Sequence, residues 1–387
     1  MPSLKNNILG TLGPEQFLQE YWQKQPCLIR QALPGCQSPL SPEELAGLAC
    51  EEGVEARLVV EKGGTHPWQV KYSPLAAKDF SVLPKTRWTL LVQGVEHYHA
   101  QINKLLDYFR FIPNWRIDDV MISYAATNGG VGPHLDSYDV FLLQAHGRRR
   151  WQINTSDYTE KDFIPGLELR IIGDFNAEQD WVLEPGDMLY LPPGVAHNGI
   201  ALEPCMTFSI GLLAPARSEL VTGFIDDNIS GTARDTRFTD PDRRLQKHPG
   251  EITRDDLDRV TGMMRSTLAD DAMLEEWFGK YITRGPDGSG ETRNRHLEET
   301  AFRRMFGEKK TIHRCDGVRT AFIRQKGRLL LCINGEILSL APRYRELAII
   351  ITEQAQISYP LLKQHAHFHE FNGVLCGLYN RGVYEFK

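Results

Sequence analysis

Residues 121–153, MISYAATNGGVGPHLDSYDVFLLQAHGRRRWQI, decide the fold of the first half of the chain. They read as an apolar strand, a glycine-rich turn, a polar pair heading a second apolar run, a Gly147 turn and a third strand. A strand projects residues i and i+2 from one face, so His134 and Asp136 point the same way. Working outward, short strand-like runs extend from about residue 27 to about 213: EARLVVEK, RWTLLVQG, QDWVLEPGDMLYLPPG and MTFSIGLLAP. Many short strands punctuated by Gly and Pro predict a barrel or a sandwich. Before them, GPEQFLQEYWQKQP predicts an amphipathic helix from about Pro14 that stops at Pro26, followed by a short strand over residues 27–30.

Two side chains do not hold a catalytic transition metal, and LEPGDMLYLPPGVAHNG, residues 183–199, offers a third. It reads as a strand between two tight turns, the second delivering His197 to the start of the next strand. Two histidines and one carboxylate with the remaining positions open form the facial triad of non-haem Fe(II) oxygenases. Other histidines are weaker candidates. His365, His367 and His369 in QHAHFHE have strand-like alternation, but their flanks look helical, and helical spacing spreads them around the axis. His97 and His99 in EHYH are set aside in the same way.

GRRRWQI, residues 147–153, alternates informatively. As a strand it puts Arg149 on the face of Trp151 and Ile153, directed inward, with Arg148 and Arg150 on the other. A buried guanidinium needs a partner. That partner is either a protein carboxylate or a ligand carboxylate held by the arginine fork, and the distal carboxylate of 2-oxoglutarate fits a barrel with an Fe(II) triad. Ser123, on a neighbouring strand, is either a small core residue or a hydroxyl aimed at the same carboxylate.

The remaining sequence sets the organisation. At 387 residues the chain is long for one core, and 41% hydrophobic with 24% charged residues is ordinary for a soluble protein. After Pro215 the pattern turns helical. SELVTGFIDDNI is followed by TRDDLDRVTGMMRSTLADDAMLEEWFGKYI, which opens with a Thr253/Asp256 capping box and carries a large apolar face. That face packs either on the barrel or in a dimer interface. TRGPDGSGETRNR, residues 283–295, is the best linker in the chain, and beyond it strands and helices predict a small α+β domain of winged-helix type. The expected domains are residues 1–215, 216–284 and 285–387. The seven cysteines are scattered without CxxC spacing, so neither a zinc cage nor a disulfide framework is implied. Without an apolar leader or a run of about 18 apolar residues, a soluble cytoplasmic protein with no membrane partner is expected. Residues 1–285 hold 28 Lys+Arg against 39 Asp+Glu, and residues 286–387 hold 16 against 11, giving −11 and +5. An acidic body favours a basic partner, and the mild basicity of the tail argues against direct nucleic-acid binding.

FLQEYWQKQPCLIRQALP, the stretch over residues 121–153 and LEPGDMLYLPPGVAHNG together resemble the JmjC-type 2-oxoglutarate oxygenases, and within them the bacterial ribosomal oxygenases. The resemblance spans the chain. It implies a mainly β fold with α elements: a double-stranded β-helix (cupin/JmjC) barrel, then a helical dimerisation segment and a C-terminal winged-helix-like domain. It further implies that His134, Asp136 and His197 are the catalytic ligands of Fe(II), that Arg149 with Ser123 anchors 2-oxoglutarate, and that O2 is consumed. The family's second hydroxyl residue, two positions after that serine, is here Ala125. The implied activity is hydroxylation of a large-subunit ribosomal protein, on arginine in the bacterial branch, by a cytoplasmic homodimer. Asp118, Asp119 and Asp139 are candidates for guanidinium recognition. Three alternatives remain: demethylation or histidine hydroxylation by the same triad, a cupin-type isomerase or small-molecule dioxygenase with no need for Arg149, and a ligand-sensing DNA-binding regulator.

Overall fold

The computed structural model describes residues 7–63, 67–232, 234–243, 245, 251–285 and 296–387, and the chain divides into two compact units, Met1–Ala214 and Pro215–Lys387. The first unit contains β1 (Cys27–Ile29), β2 (Ala56–Glu61), β3 (Trp68–Tyr72), β4 (Trp88–Val92), β5 (Ile117–Ala125), β6 (Val140–His146), β7 (Arg149–Asn154), β8 (Gln179–Leu183), β9 (Met188–Leu191), β10 (Ala196–Ala201) and β11 (Cys205–Leu212). Its helices are α1 (Pro14–Glu20), α2 (Pro42–Leu48), α3 (Ala77–Ser81) and α4 (Ala100–Leu105). One sheet runs β1-β9-β6-β11-β5-β4-β2-β3 and a second runs β10-β7-β8; the strand pairs are antiparallel.

Strand alternation divides the side chains between two environments. Ile122 of β5, Phe141 and Leu143 of β6, and Phe208 and Ile210 of β11 pack into a core with Phe17 of α1 and Leu45 of α2. Their sequence neighbours Met121, Ser123, Val140, Thr207 and Ser209 instead line a cleft. The predicted first helix is shorter than expected. It ends at Glu20, because the backbone N–H of Gln23, at φ +55°, donates to the Tyr190 hydroxyl (2.8 Å) rather than to a helical carbonyl.

The second unit opens with α5 (Arg217–Asn228), α6 (Arg254–Thr267) and α7 (Asp271–Thr283). The Thr253/Asp256 capping box is present. What the periodicity suggested was one long helix is two, broken where the Asp270 side chain accepts the N–H of Met273 and caps α7. Trp277 of α7 is buried against Phe224 of α5, whereas Leu257, Val260 and Met264 of α6 are exposed. The remainder comprises α8 (Glu299–Lys309), β12 (Thr311–Arg314), the meander β13 (Thr320–Gln325), β14 (Arg328–Ile333) and β15 (Glu336–Leu340), then α9 (Arg345–Glu353), β16 (Gln356–Ser358), α10 (Tyr359–Lys363), α11 (Phe368–Asn380) and β17 (Tyr384–Glu385). β13-β14-β15 form one sheet and β16-β12-β17 another, with Phe302, Phe306 and Phe371 in the core. Most of the linker expected at 283–295 lies outside the described residues.

Candidate metal centre

His134 and Asp136 lie in an extended segment before β6 and not within a regular strand. A single bridge joins His134 to His197, each N–H donating to the other's carbonyl at 3.0 Å. The period-two alignment nevertheless holds: Asp136 Oδ1 is 3.8 Å from His134 Nε2, and its Oδ2 is 3.5 Å from His197 Nε2. The Gly194 N–H donates to the Asp136 carbonyl (2.8 Å), tying the PPG turn that delivers His197 to the segment that delivers Asp136. One ligand atom from each of the three residues lies within 4.8 Å of the others.

The tautomers follow from the backbone. His134 Nδ1 is 2.9 Å from the Gly132 carbonyl and His197 Nδ1 is 3.0 Å from the Val195 carbonyl. A carbonyl oxygen only accepts, so both Nδ1 atoms carry hydrogen and both Nε2 atoms face Asp136. Burial, reinforced by the neighbouring His134, pushes His197 down to about 4, which keeps it an uncharged ligand at neutral pH. Two imidazoles and a carboxylate form a donor set suited to a divalent transition metal.

Protein atoms crowd the glycines before His134: a Cβ would come within 2.3 Å of the Trp88 carbonyl at Gly129, 2.6 Å of the Gly199 carbonyl at Gly130, and 2.7 Å of Ile171 at Gly132. These glycines let the loop press against β4 and β10.

At the other end of the cleft, Arg149 and Trp151 are buried and Arg150 is exposed, as alternation predicts. Arg149 Nη1 donates to the Ser123 hydroxyl (3.2 Å) and reaches Thr207 Oγ1 at 3.5 Å; Nη2 donates to the Gly199 carbonyl (3.2 Å). Its Cζ sits 4.8 Å from the centre of the Trp151 ring. Burial pushes the guanidinium pKa down, and among the described residues no carboxylate pairs with it. Arg149 Nε and Trp151 Nε1 are buried N–H donors without an acceptor.

Thr207 was not anticipated. Opposite Ser123 in the β11–β5 register, it donates to Gln144 (3.0 Å) and supplies near Arg149 the second hydroxyl that Ala125 cannot. Its signal was present in CMTFSIGL, where Thr207 and Ser209 interrupt an otherwise apolar buried strand on alternate positions.

The cleft, about 620 Å³ when the adjoining open solvent is included, holds the His134–Asp136–His197 cluster, Arg149, Asp119 and Tyr138. Of the three acidic candidates, Asp119 lines it, with its Oδ2 accepting from Gln93 (3.1 Å) and the Gly94 N–H (3.2 Å). Asp118 is not among the lining residues. Asp139 is fully buried, accepting from Tyr190 (2.6 Å), Gln23 (2.9 Å) and Arg116 (3.0 Å), so it braces the fold and is removed from substrate recognition. His365, His367 and His369 sit around the start of α11, and His97 pairs with Glu96 at 3.1 Å. Among the described residues, the His134–Asp136–His197 cluster is the one place where three such groups converge.

Antiparallel sheets around a His-x-Asp…His cluster and a buried, carboxylate-free arginine define an oxygenase of the JmjC class, and residues 104–220 match the JmjC domain family. The chain is 41% identical over 273 residues to the ribosomal protein uL16 3-hydroxylase of Escherichia coli, covering 70% of this chain and 72% of that one. It is 39% identical over 280 residues to a probable ribosomal oxygenase of Haemophilus influenzae, covering 70% and 68%. The structure of the E. coli ribosomal oxygenase YcfD in complex with cobalt and 2-oxoglutarate superposes with a TM-score of 0.80 at 32% identity, covering 97% of this chain and 99% of that one. The chain belongs to the JmjC-domain ribosomal oxygenases.

Proposed function

We propose that the protein is an Fe(II)- and 2-oxoglutarate-dependent oxygenase that hydroxylates a ribosomal protein side chain, specifically an arginine of a large-subunit protein. The observation that carries this reading is the pairing, in one cleft, of a His-Asp-His donor set with a buried guanidinium that, among the described residues, lacks a protein carboxylate. His134 Nε2, a carboxylate oxygen of Asp136 and His197 Nε2 would hold the metal. Arg149, with Ser123, donates to the distal carboxylate of 2-oxoglutarate, and the buried donors Arg149 Nε and Trp151 Nε1 fit an anionic ligand. Once bound, the metal and 2-oxoglutarate supply the oxidising chemistry, consuming O2 and releasing succinate and CO2 as a C–H bond becomes C–OH.

The chain's own task is recognition and aim. Asp119, on the cleft wall, receives the substrate guanidinium, and Met121 and Val140 offer apolar surface to its methylenes. The acidic balance of residues 1–285 favours a basic ribosomal segment. A homodimer forms through α6, whose Leu257, Val260 and Met264 are 46%, 45% and 70% exposed on one helix face. No helix among the described residues is long and apolar enough to cross a membrane, and a ribosomal substrate supports a cytoplasmic location.

The test is mass spectrometry of large-subunit ribosomal proteins incubated with the protein, Fe(II), 2-oxoglutarate and O2. The expected product is a gain of one oxygen on an arginine, with matching succinate. Loss of a methyl group from a methylated peptide would indicate demethylation. Absence of both products and of succinate would remove the oxygenase reading. For the dimer, Met264→Glu should give monomers in light scattering, and a retained dimer would relocate the interface.

A further inference from the structure

We infer that Gly199 is a positioning residue for the co-substrate anchor: without a Cβ, it leaves the space in which the Arg149 guanidinium and the Trp151 ring lie together. This inference rests on the function proposed above. In the β10–β7 register Gly199 stands directly opposite Trp151, and Ala201 opposite Arg149. A Cβ at position 199 would lie 2.6 and 2.7 Å from Cζ3 and Cη2 of Trp151 and 2.7 Å from Nε of Arg149. Carbon atoms do not pack at those distances, so one of the two side chains must move.

Neither has slack. Trp151 is 4% exposed, with its ring centre 5.8 Å from that of His197. Arg149 is 3% exposed and held by Ser123, Thr207 and the Gly199 carbonyl itself. The strand cannot easily retreat either, because the Gly199 carbonyl lies 2.6 Å from the point where Gly130 would carry its Cβ. Two glycines on different elements therefore keep one narrow slot open. The guanidinium presents its donors to a carboxylate only from its present orientation, since fork geometry is directional.

The Trp151 ring packs beside His197, but the contacts that orient the metal ligands come from outside the slot: His197 Nδ1 is held by the Val195 carbonyl, and Asp136 reaches its Nε2 from the opposite segment. Loss of the slot should therefore separate co-substrate affinity from metal affinity.

The test is isothermal titration of 2-oxoglutarate into the Mn(II)-loaded full chain, with Mn(II) affinity measured separately by paramagnetic resonance. Gly199→Ala should weaken 2-oxoglutarate binding by about 10- to 100-fold, the worth of displaced charge-assisted hydrogen bonds, while Mn(II) affinity stays within about twofold. In an Arg149→Met background, adding Gly199→Ala should change 2-oxoglutarate affinity by less than about twofold, because the group it acts through is gone. If Gly199→Ala does not fold, Gly199→Ala/Trp151→Phe is measured against Trp151→Phe alone, since phenylalanine lacks the fused-ring atoms that clash. The same weakening is expected, from the remaining contact with Arg149. Unchanged 2-oxoglutarate affinity in Gly199→Ala, or an equal loss with and without Arg149, would overturn the inference. Failure of the wild-type protein to bind 2-oxoglutarate would overturn the proposed function itself, and this inference with it.

Discussion

Replacing Arg149 with methionine should affect the free and the ligand-bound protein in opposite directions. In the free protein the guanidinium is 3% exposed and faces two hydroxyls and a carbonyl, with no carboxylate to balance its charge. An apolar side chain of similar length removes a desolvated charge and keeps contact with Trp151. The stranded groups retain other partners: the Ser123 hydroxyl reaches the Thr207 carbonyl at 3.4 Å, and Thr207 donates to Gln144. Stability of the ligand-free protein should therefore stay level or rise by about 1–3 kcal/mol, as when buried ionic groups give way to packed apolar ones.

The bound state loses what the free state gains. If the arginine fork gives the distal carboxylate two charge-assisted hydrogen bonds at about 1.5 kcal/mol each, affinity falls by about 3 kcal/mol, or roughly 150-fold. At a 2-oxoglutarate concentration about 100 times the wild-type Kd, ligand stabilisation is about 2.7 kcal/mol, and the variant retains about 0.3 kcal/mol. For a unit of this size that is a melting shift of about 5–10 °C reduced to about 1 °C. The assay is thermal melting of the Mn(II)-loaded protein with and without 2-oxoglutarate. A variant that melts several degrees lower without ligand, or that keeps the full ligand shift, would refute the reasoning, because Arg149 would then be a structural residue satisfied within the fold.

Asp136→Asn should weaken Mn(II) binding by more than about 100-fold while leaving the melting temperature of the metal-free protein within a few degrees, and retained metal affinity would exclude Asp136 as a ligand. Asp139→Asn should cost about 2–4 kcal/mol in urea unfolding by disturbing buried bonds to Arg116, Tyr190 and Gln23, with peptide KM unchanged; a raised KM at wild-type stability would restore it to substrate recognition. Asp187 predicts a pH dependence. Burial alone would push its carboxyl up, but the N–H groups of Gln31 and Glu184 and the Arg30 guanidinium outweigh this and hold it below its ordinary value of 3.8. A depressed carboxylate stabilises the fold above its unfolded pKa and loses that contribution as pH falls through the folded one. The stability gap between wild type and Asp187→Asn should therefore be full above about pH 4 and shrink in more acidic solution, and a gap independent of pH would place the effect in packing.

The parts of the site legible in the sequence are those that depend on one strand's period or one turn's chemistry. HxD two positions apart, a PPG turn before a histidine and the RRRW alternation each encode direction locally, and His134, Asp136, His197 and Arg149 meet in one cleft as those local rules imply. What escaped depends on register between strands distant in the chain. Thr207 approaches Arg149 because β11 pairs Thr207 with Ser123, 84 positions away, and Gly199 matters because β10 sets it opposite Trp151. No spacing within either segment reports such a pairing. Asp139 failed for the converse reason: its neighbour Tyr138 faces the cleft, so alternation turns Asp139 towards Tyr190 and Arg116, and a carboxylate that looked available for substrate is used up inside the protein. The two errors share a cause. A polar residue in a barrel strand is committed by which face it takes and by what stands across from it. Period two settles the first from sequence, whereas only the assembled sheet settles the second.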